Sequence, residues 1–99
     1  MSDLLFDYGD ELKVTATFTD EDGAPADPGT VVFKTKDPAG AVTTYEFGTA
    51  VEVTKVGTGV YKLLFTPSAE GDWYWRAEGT APVRQASEGK FRVANSVFY

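Results

Sequence analysis

Apolar and polar residues alternate along several short stretches of this chain, and that period of two restricts the fold more than any other feature. Residues 11–19 read ELKVTATFT, in which every second side chain from Leu12 to Phe18 is apolar. Side chains of an extended strand point alternately to opposite faces, so the pattern predicts a strand with one buried and one solvated face. The stretches 31–36 and 60–66 repeat it, and no segment shows the period of an amphipathic helix. The sequence therefore predicts an all-β protein.

Turn-forming residues separate these stretches. The loop at 20–29, DEDGAPADPG, contains two prolines and two glycines, and DPAG at 37–40 and GTG at 57–59 are typical of tight turns. Further strands are predicted at 41–47 and around 51–56, and the last two in the stretches DWYWRAE and GKFRV. About seven short strands, separated by turns every ~8–12 residues, are typical of a single antiparallel β-sandwich of the immunoglobulin type.

The length of 99 residues suits one domain, because a chain of this size cannot bury a second independent core. Residues 1–99 are therefore predicted to form a single immunoglobulin-like domain. The sandwich is expected to span about residues 9–93, flanked by an N-terminal extension, residues 1–8, and a C-terminal extension, residues 94–99.

Both extensions carry apolar and aromatic side chains, which a small domain seldom leaves bare. Two interpretations remain open. The segments cover the ends of the sandwich, the first as an edge strand, or they dock on a neighbouring subunit by strand addition or aromatic anchors. The candidate docking residues are Leu4, Leu5, Phe6, Tyr8, Val97, Phe98 and Tyr99.

Three consecutive aromatic residues, Trp73, Tyr74 and Trp75, either stack on a ligand or fill the core. On a strand the two indoles share one face with Ala77, whereas the tyrosine points the other way. A small sandwich needs bulky side chains to span the ~10 Å between its sheets, and tryptophan supplies them. The expectation is that both indoles lie in the core and Tyr74 faces solvent, with a ligand-stacking platform as the alternative.

The chain has no cysteine and no histidine. Disulfides, thiolate nucleophiles, the commonest general base at neutral pH and the commonest transition-metal ligands are therefore ruled out. A net charge of −6 disfavours a nucleic-acid surface and favours a basic partner. No stretch resembles a signal peptide or reaches the length of a membrane span, so folding in the cytoplasm without a membrane partner is expected. The composition predicts no enzyme activity and no cofactor.

The loop at 20–29 begins with DEDG, the D-x-D-G spacing that opens a calcium-binding loop. The twelfth position counted from Asp20 is Val31 rather than the glutamate that such a loop needs. A turn closed by aspartate side chains, with a positive φ at Gly23, is the simpler prediction. Weak calcium binding between Asp20 and Asp27 stays open.

Five short motifs together resemble a known type of protein. They are GD at 9–10, DEDG at 20–23, DPAG at 37–40, GTGVY at 57–61 and EGDWYW at 70–75. In this order they are similar to small immunoglobulin-like proteins encoded in the structural gene blocks of tailed bacteriophages, near the head and head–tail connector genes. The resemblance covers about residues 9–93. Similar strand entries and corners also occur in bacterial immunoglobulin-like adhesin repeats.

The resemblance implies a non-enzymatic component of the virus particle, made in the host cytoplasm and located in the virion. It would decorate the capsid or belong to the neck, head–tail connector or tail. The implied partners are other virion proteins, namely major capsid, connector or tail subunits, bound in many copies, and no catalytic residue is implied. The alternative is a carbohydrate-binding or cell-surface adhesion module, whose candidate aromatics would be Tyr8, Tyr45 and Tyr74.

Overall fold

The computed structural model describes residues 4–7 and 11–94, and within them the chain is all-β. Among the described residues there is no helix long and apolar enough to cross a membrane. Eight strands follow one another: β1 (Leu4–Asp7), β2 (Leu12–Thr17), β3 (Val31–Lys36), β4 (Val42–Glu46), β5 (Val53–Gly57), β6 (Val60–Phe65), β7 (Gly71–Gly79) and β8 (Gln85–Ala94).

The strands form two sheets, a five-stranded one in the order β1-β8-β7-β3-β4 and a three-stranded one in the order β2-β6-β5. Neighbouring strands are antiparallel except β1, which runs parallel to β8. In the letters of immunoglobulin domains, β2, β6 and β5 correspond to strands B, E and D, and β8, β7 and β3 to G, F and C. The predicted immunoglobulin-like sandwich is confirmed. The N-terminal segment adds a further strand to the predicted number.

The alternating apolar residues meet between the two sheets. In β2 the residues at positions 12, 14 and 16 are buried and those between them are exposed. β3 and β6 show the same alternation, with mostly half-buried residues between the buried ones. Since each sheet buries one face against the other, the period of two in the sequence is explained. The buried hydrophobic residues are Leu12, Val14, Ala16, Phe18, Val31, Phe33, Val53, Tyr61, Leu63, Phe65, Trp73, Ala77, Val83, Phe91 and Val93.

A group of aromatic rings joins the sheets at the centre of the core. The Trp73 indole stacks on Phe91, with centroids 6.0 Å apart and planes inclined by 12°. Phe65 of the opposite sheet contacts both rings, at centroid distances of 5.9 and 5.8 Å. The Trp73 Nε1–H donates to the carbonyl oxygen of Ala69 at 3.0 Å, so the buried donor is satisfied. The core placement predicted for Trp73 is confirmed, and Trp75 is half-buried and packs against the same core.

The predicted turns form where expected. At DPAG, the Asp37 carboxylate accepts a hydrogen bond from the Ala41 N–H at 2.8 Å, and Gly40 has a φ of +95°. At GTG, the chain reverses between β5 and β6, and Gly59 has a φ of +72°. These backbone conformations favour glycine because it lacks a Cβ.

Two strand boundaries differ from the sequence prediction. β5 begins at Val53, and Val51, predicted to start it, is 90% exposed. β8 begins at Gln85, four residues before the predicted start at Gly89, because its backbone pairs with the end of β7 although its side chains there are exposed. The indole of Trp75 lies over Gly89, where the predicted strand began.

Candidate functional site

The predicted docking residues at the N terminus belong to a strand of the domain itself. Leu4, Leu5 and Phe6 lie in β1, where their backbones pair with residues 91–93 of β8. For this segment the structure shows the edge strand, one of the two interpretations left open by the sequence. A role in docking at this edge stays a prediction. The other candidates, Tyr8, Val97, Phe98 and Tyr99, lie outside the described residues.

The edges of the two sheets differ in how well they are protected. The five-stranded sheet ends in β1 and β4, and the three-stranded sheet in β2 and β5. β5 carries Lys55 and an irregular register between Lys55 and Gly57, which are features that discourage the addition of another strand. β4 reads VTTYE, without a proline, a bulge or any charge before Glu46, and Val42, Thr43 and Thr44 are exposed. Within the described part of the chain, no strand pairs with the outer side of β4, so this edge is open to a further strand.

The outer face of the five-stranded sheet is covered by ion pairs. The Lys34 ammonium lies 2.9 Å from the Glu78 carboxylate, and the Arg76 guanidinium lies 3.6 Å from the same group. Arg76 also pairs with Glu88. The hydrogen bond from Lys34 and its charge, followed by the charge of Arg76, hold the pKa of Glu78 below its ordinary value. The Glu78 carboxylate is thus kept ionised by neighbouring cations.

Tyr74 is the aromatic residue that this outer face presents to solvent. Its side chain is 45% exposed, as predicted, and the Lys90 ammonium lies 5.9 Å from the ring centroid. A shallow depression of about 190 Å³ lies beside it, next to Val42 and Lys36. The ring is placed where it can contact a partner or a flat ligand.

Tyr45 does not share this face. Its ring packs against Phe65 at a centroid distance of 6.4 Å, and burial raises the pKa of its hydroxyl. The prediction that Tyr45 belongs to an outward-facing carbohydrate platform is therefore wrong. In β4 its position opposite Phe33 directs it to the inner side of the sheet.

A larger depression of about 660 Å³ opens at the end of the sandwich, between residues 19–27 and residues 82–85. These segments correspond to the B–C and F–G connections, which in antibody variable domains carry the binding loops. Carboxylates of the first segment and Arg84 of the second line the depression.

The acidic loop forms a turn rather than a calcium loop. The Asp20 Oδ1 accepts hydrogen bonds from the N–H groups of Asp22 at 2.9 Å and Ala24 at 3.1 Å, and Gly23 has a φ of +83°. The predicted turn is confirmed. Within residues 11–94 no three carboxylates come together in an arrangement that could hold a metal ion. The described residues therefore provide no set of ligands for the weak calcium binding considered between Asp20 and Asp27.

Asp27 ties the same loop to the neighbouring hairpin. Its carboxylate accepts hydrogen bonds from the Gly59 N–H at 2.7 Å and the Tyr61 hydroxyl at 3.3 Å, and it pairs with the Lys55 ammonium at 2.7 Å. The hydrogen bonds from Lys55 and then Gly59 hold the pKa of Asp27 below its ordinary value. The sequence analysis did not predict this link, because the partners of Asp27 lie 28 or more residues away and no local sequence pattern indicates them.

No protein-family model and no curated protein matches this chain. Among solved structures, the chain is similar to a crystal structure of a "putative glycoside hydrolase" from Bacteroides vulgatus, with a TM-score of 0.61 and 14% sequence identity. The match covers 96% of this chain and 17% of that one, so this chain spans about a sixth of the other's length. At such low identity the likeness shows a common fold alone.

Proposed function

We propose that this chain is a non-enzymatic structural module of a tailed-bacteriophage particle, which docks on a larger assembly through its terminal segments and its sheet edges. The observation that carries the proposal is that the described aromatic and acidic side chains mostly hold the fold together, whereas the β4 edge is left open. The assignment to a phage particle is supported by the sequence motifs that resemble phage immunoglobulin-like proteins.

The carboxylates support the non-enzymatic part of the proposal. Asp20 and Asp37 close turns, and Asp27 holds a loop against a hairpin. A carboxylic acid that donates a proton at neutral pH needs a raised pKa, which burial or a neighbouring carboxylate produces. Asp27 and Glu78 instead have lowered pKa values, each through a cationic partner. These groups remain ionised and act as links within the domain.

An exposed apolar residue supports docking. Val42, in the edge strand β4, is 59% exposed. Apolar surface next to unpaired strand backbone is what a partner buries when it adds a strand. If many copies bind one symmetric particle, a weak contact is sufficient because avidity multiplies it.

Mass spectrometry of particles tests the proposal. Phage particles would be purified from the source culture by density gradient, and their proteins quantified. The chain is expected in the particle fraction at a fixed ratio to the major capsid protein. A chain that remains with soluble proteins while intact particles sediment without it contradicts the proposal.

A deletion separates docking from folding. Removing residues 95–99 is expected to lower incorporation into particles. The melting temperature should stay nearly unchanged, because the buried hydrophobic core described above lies within residues 11–94. A Glu21→Gln variant, changed in the exposed loop, serves as the control and should be incorporated normally. Normal incorporation of the deletion variant would exclude the C-terminal segment as a docking element.

A carbohydrate-binding module is the second candidate function. It is favoured by the exposed ring of Tyr74 and by the name of the similar Bacteroides vulgatus structure. Such a module predicts a glycan-array signal that disappears in Tyr74→Ala and persists in Thr15→Ala, a change on the exposed side of β2. An array without signal for the native protein removes this candidate.

A further inference from the structure

Backbone groups of β4 face the open edge of the sheet at every second residue. Two bonds at the ends of the β3–β4 ladder fix the phase: the Phe47 N–H donates to the Val31 carbonyl, and the Asp37 N–H to the Ala41 carbonyl, each at 2.9 Å. In an antiparallel pair, hydrogen-bonded and non-hydrogen-bonded positions alternate. Odd-numbered residues of β4 therefore bond to β3. The residues whose N–H and C=O groups point outward are Val42, Thr44 and Glu46.

Most of these outward groups lack a partner within the described part of the chain. The Glu46 carbonyl already accepts hydrogen bonds from Thr49 at 3.1 Å and Ala50 at 2.8 Å. The remaining outward donors and acceptors, including both groups of Val42 and Thr44, are open. Natural sheets protect such an edge with a lysine within the strand, a proline or a bulge, and β4 has none of these.

We propose that β4 of a second copy of this chain occupies the edge, antiparallel and related by a two-fold axis at Thr44. Only outward-facing residues can form the new bonds. The register that places Thr44 opposite its own copy and Val42 opposite Glu46 uses both backbone groups of Thr44 and only the N–H of Glu46, because the Glu46 carbonyl is already bonded to Thr49 and Ala50. The N–H of Thr44 then donates to the Thr44 carbonyl of the second copy, and the N–H of Glu46 to the Val42 carbonyl. Each bond occurs twice by symmetry, as in other isologous interfaces.

The side chains on the outer face complement each other in this register. Lys36 of β3 lies directly beside Val42. The second copy places its Glu46 on the other side of Val42, so the row reads lysine, valine, glutamate across three strands. Strands are ~4.8 Å apart, which puts the lysine and glutamate backbones ~10 Å apart, within the combined reach of their side chains. Neither Lys36 nor Glu46 forms an ion pair within the described part of the chain. In the dimer, an ion pair between Lys36 and the Glu46 of the second copy would cover the side chain of Val42.

The dimer does not depend on whether the chain belongs to a virus particle. Its test uses the pure protein in solution, whereas the particle assignment is tested by sedimentation with particles. A dimer that never reaches particles, or a monomer that does, would separate the two proposals.

Sedimentation velocity over a concentration series measures the association. The native protein is expected to shift reversibly from monomer to dimer with a dissociation constant below ~1 mM, in the range of small transient interfaces. Thr44→Pro removes an N–H that points outward and leaves the ladder to β3 intact, so it should be monomeric while melting cooperatively. Thr44→Val keeps the donor and is the matched control, which should dimerise like the native protein.

Charge reversal tests the register with variants that change only exposed side chains. Glu46→Lys and Lys36→Glu each place like charges in one row, and each should weaken the dimer about tenfold. The double variant restores opposite charges and should recover most of the native association.

Three results would overturn the inference. A native protein that is monomeric at all accessible concentrations excludes the dimer. A dimer unaffected by Thr44→Pro uses another surface. Single reversals that weaken association without rescue in the double variant refute the proposed register.

Discussion

Replacing Gly59 by alanine is expected to destabilise this protein about twice as much as the same replacement at Gly23, although both glycines have a positive φ. Gly23 has a φ of +83° and open space around it, with no atom within 4 Å of an added Cβ. The cost there is conformational, about 1–2 kcal/mol for an L-residue in the left-handed region.

At Gly59 the φ of +72° carries the same cost, and a packing cost adds to it. A Cβ there would lie 2.5 Å from the Phe18 carbonyl oxygen and 2.7 Å from the Ala26 nitrogen. The Ala26 N–H donates a hydrogen bond to this Phe18 carbonyl at 3.0 Å, and the Phe18 N–H donates one to the Gly59 carbonyl at 2.7 Å. The methyl group would disturb both bonds, each worth about 1 kcal/mol net. The expected total is about 3–4 kcal/mol.

Urea unfolding followed by tryptophan fluorescence measures both variants. In thermal unfolding the same losses correspond to ~10 °C for Gly23→Ala and ~20 °C for Gly59→Ala. Gly40→Ala is a second control, because Gly40 also has a positive φ of +95° and open space. Equal losses for Gly59 and the two controls would refute the packing of the β5–β6 hairpin beneath the acidic loop.

Two further predictions concern the hairpin and the core. Because the pKa of Asp27 is lowered in the folded state, its link stabilises the fold above the unfolded pKa of ~4 and is lost as the pH falls through the folded value. The difference in unfolding free energy between native protein and Asp27→Asn should therefore shrink between about pH 6 and about pH 3, and a constant difference would contradict the role of its charge. Leu63 is 0% exposed between the sheets, so Leu63→Ala should cost about 3 kcal/mol, whereas Lys62→Ala on the opposite side of β6 should cost less than ~0.5 kcal/mol in the same urea experiment.

The sequence predicted the strands whose two faces meet different environments. In β2 one face is apolar and the other polar, so the period of two directly encodes which side is buried. Turn chemistry was equally local: Asp20, Asp37 and Gly23 act on residues within four positions of themselves. Such features depend on neighbours in the chain and can be found there.

Other features depend on partners distant in the chain. Tyr45 was a candidate aromatic of the alternative carbohydrate-binding module. VTTYE lacks a clear alternation, and only the pairing with β3 fixes the side on which this residue lies. The start of β8 carries no apolar alternation because its side chains are exposed, and only its backbone pairing with the end of β7 makes it a strand. The parallel pairing of β1 with β8 joins the two ends of the chain, which local patterns do not specify.

Amide hydrogen exchange along β4, resolved by residue at low and high protein concentration, tests the central claim most directly: that the sandwich uses its own side chains for folding and keeps this edge for a partner. At low concentration, Thr43 and Tyr45 should be protected through β3, and Val42 and Thr44 should exchange rapidly. At high concentration Thr44 should become protected as the second copy binds. Rapid exchange throughout β4 would contradict the sheet register, and protection of Thr44 at every dilution would show that the edge is already occupied within the chain.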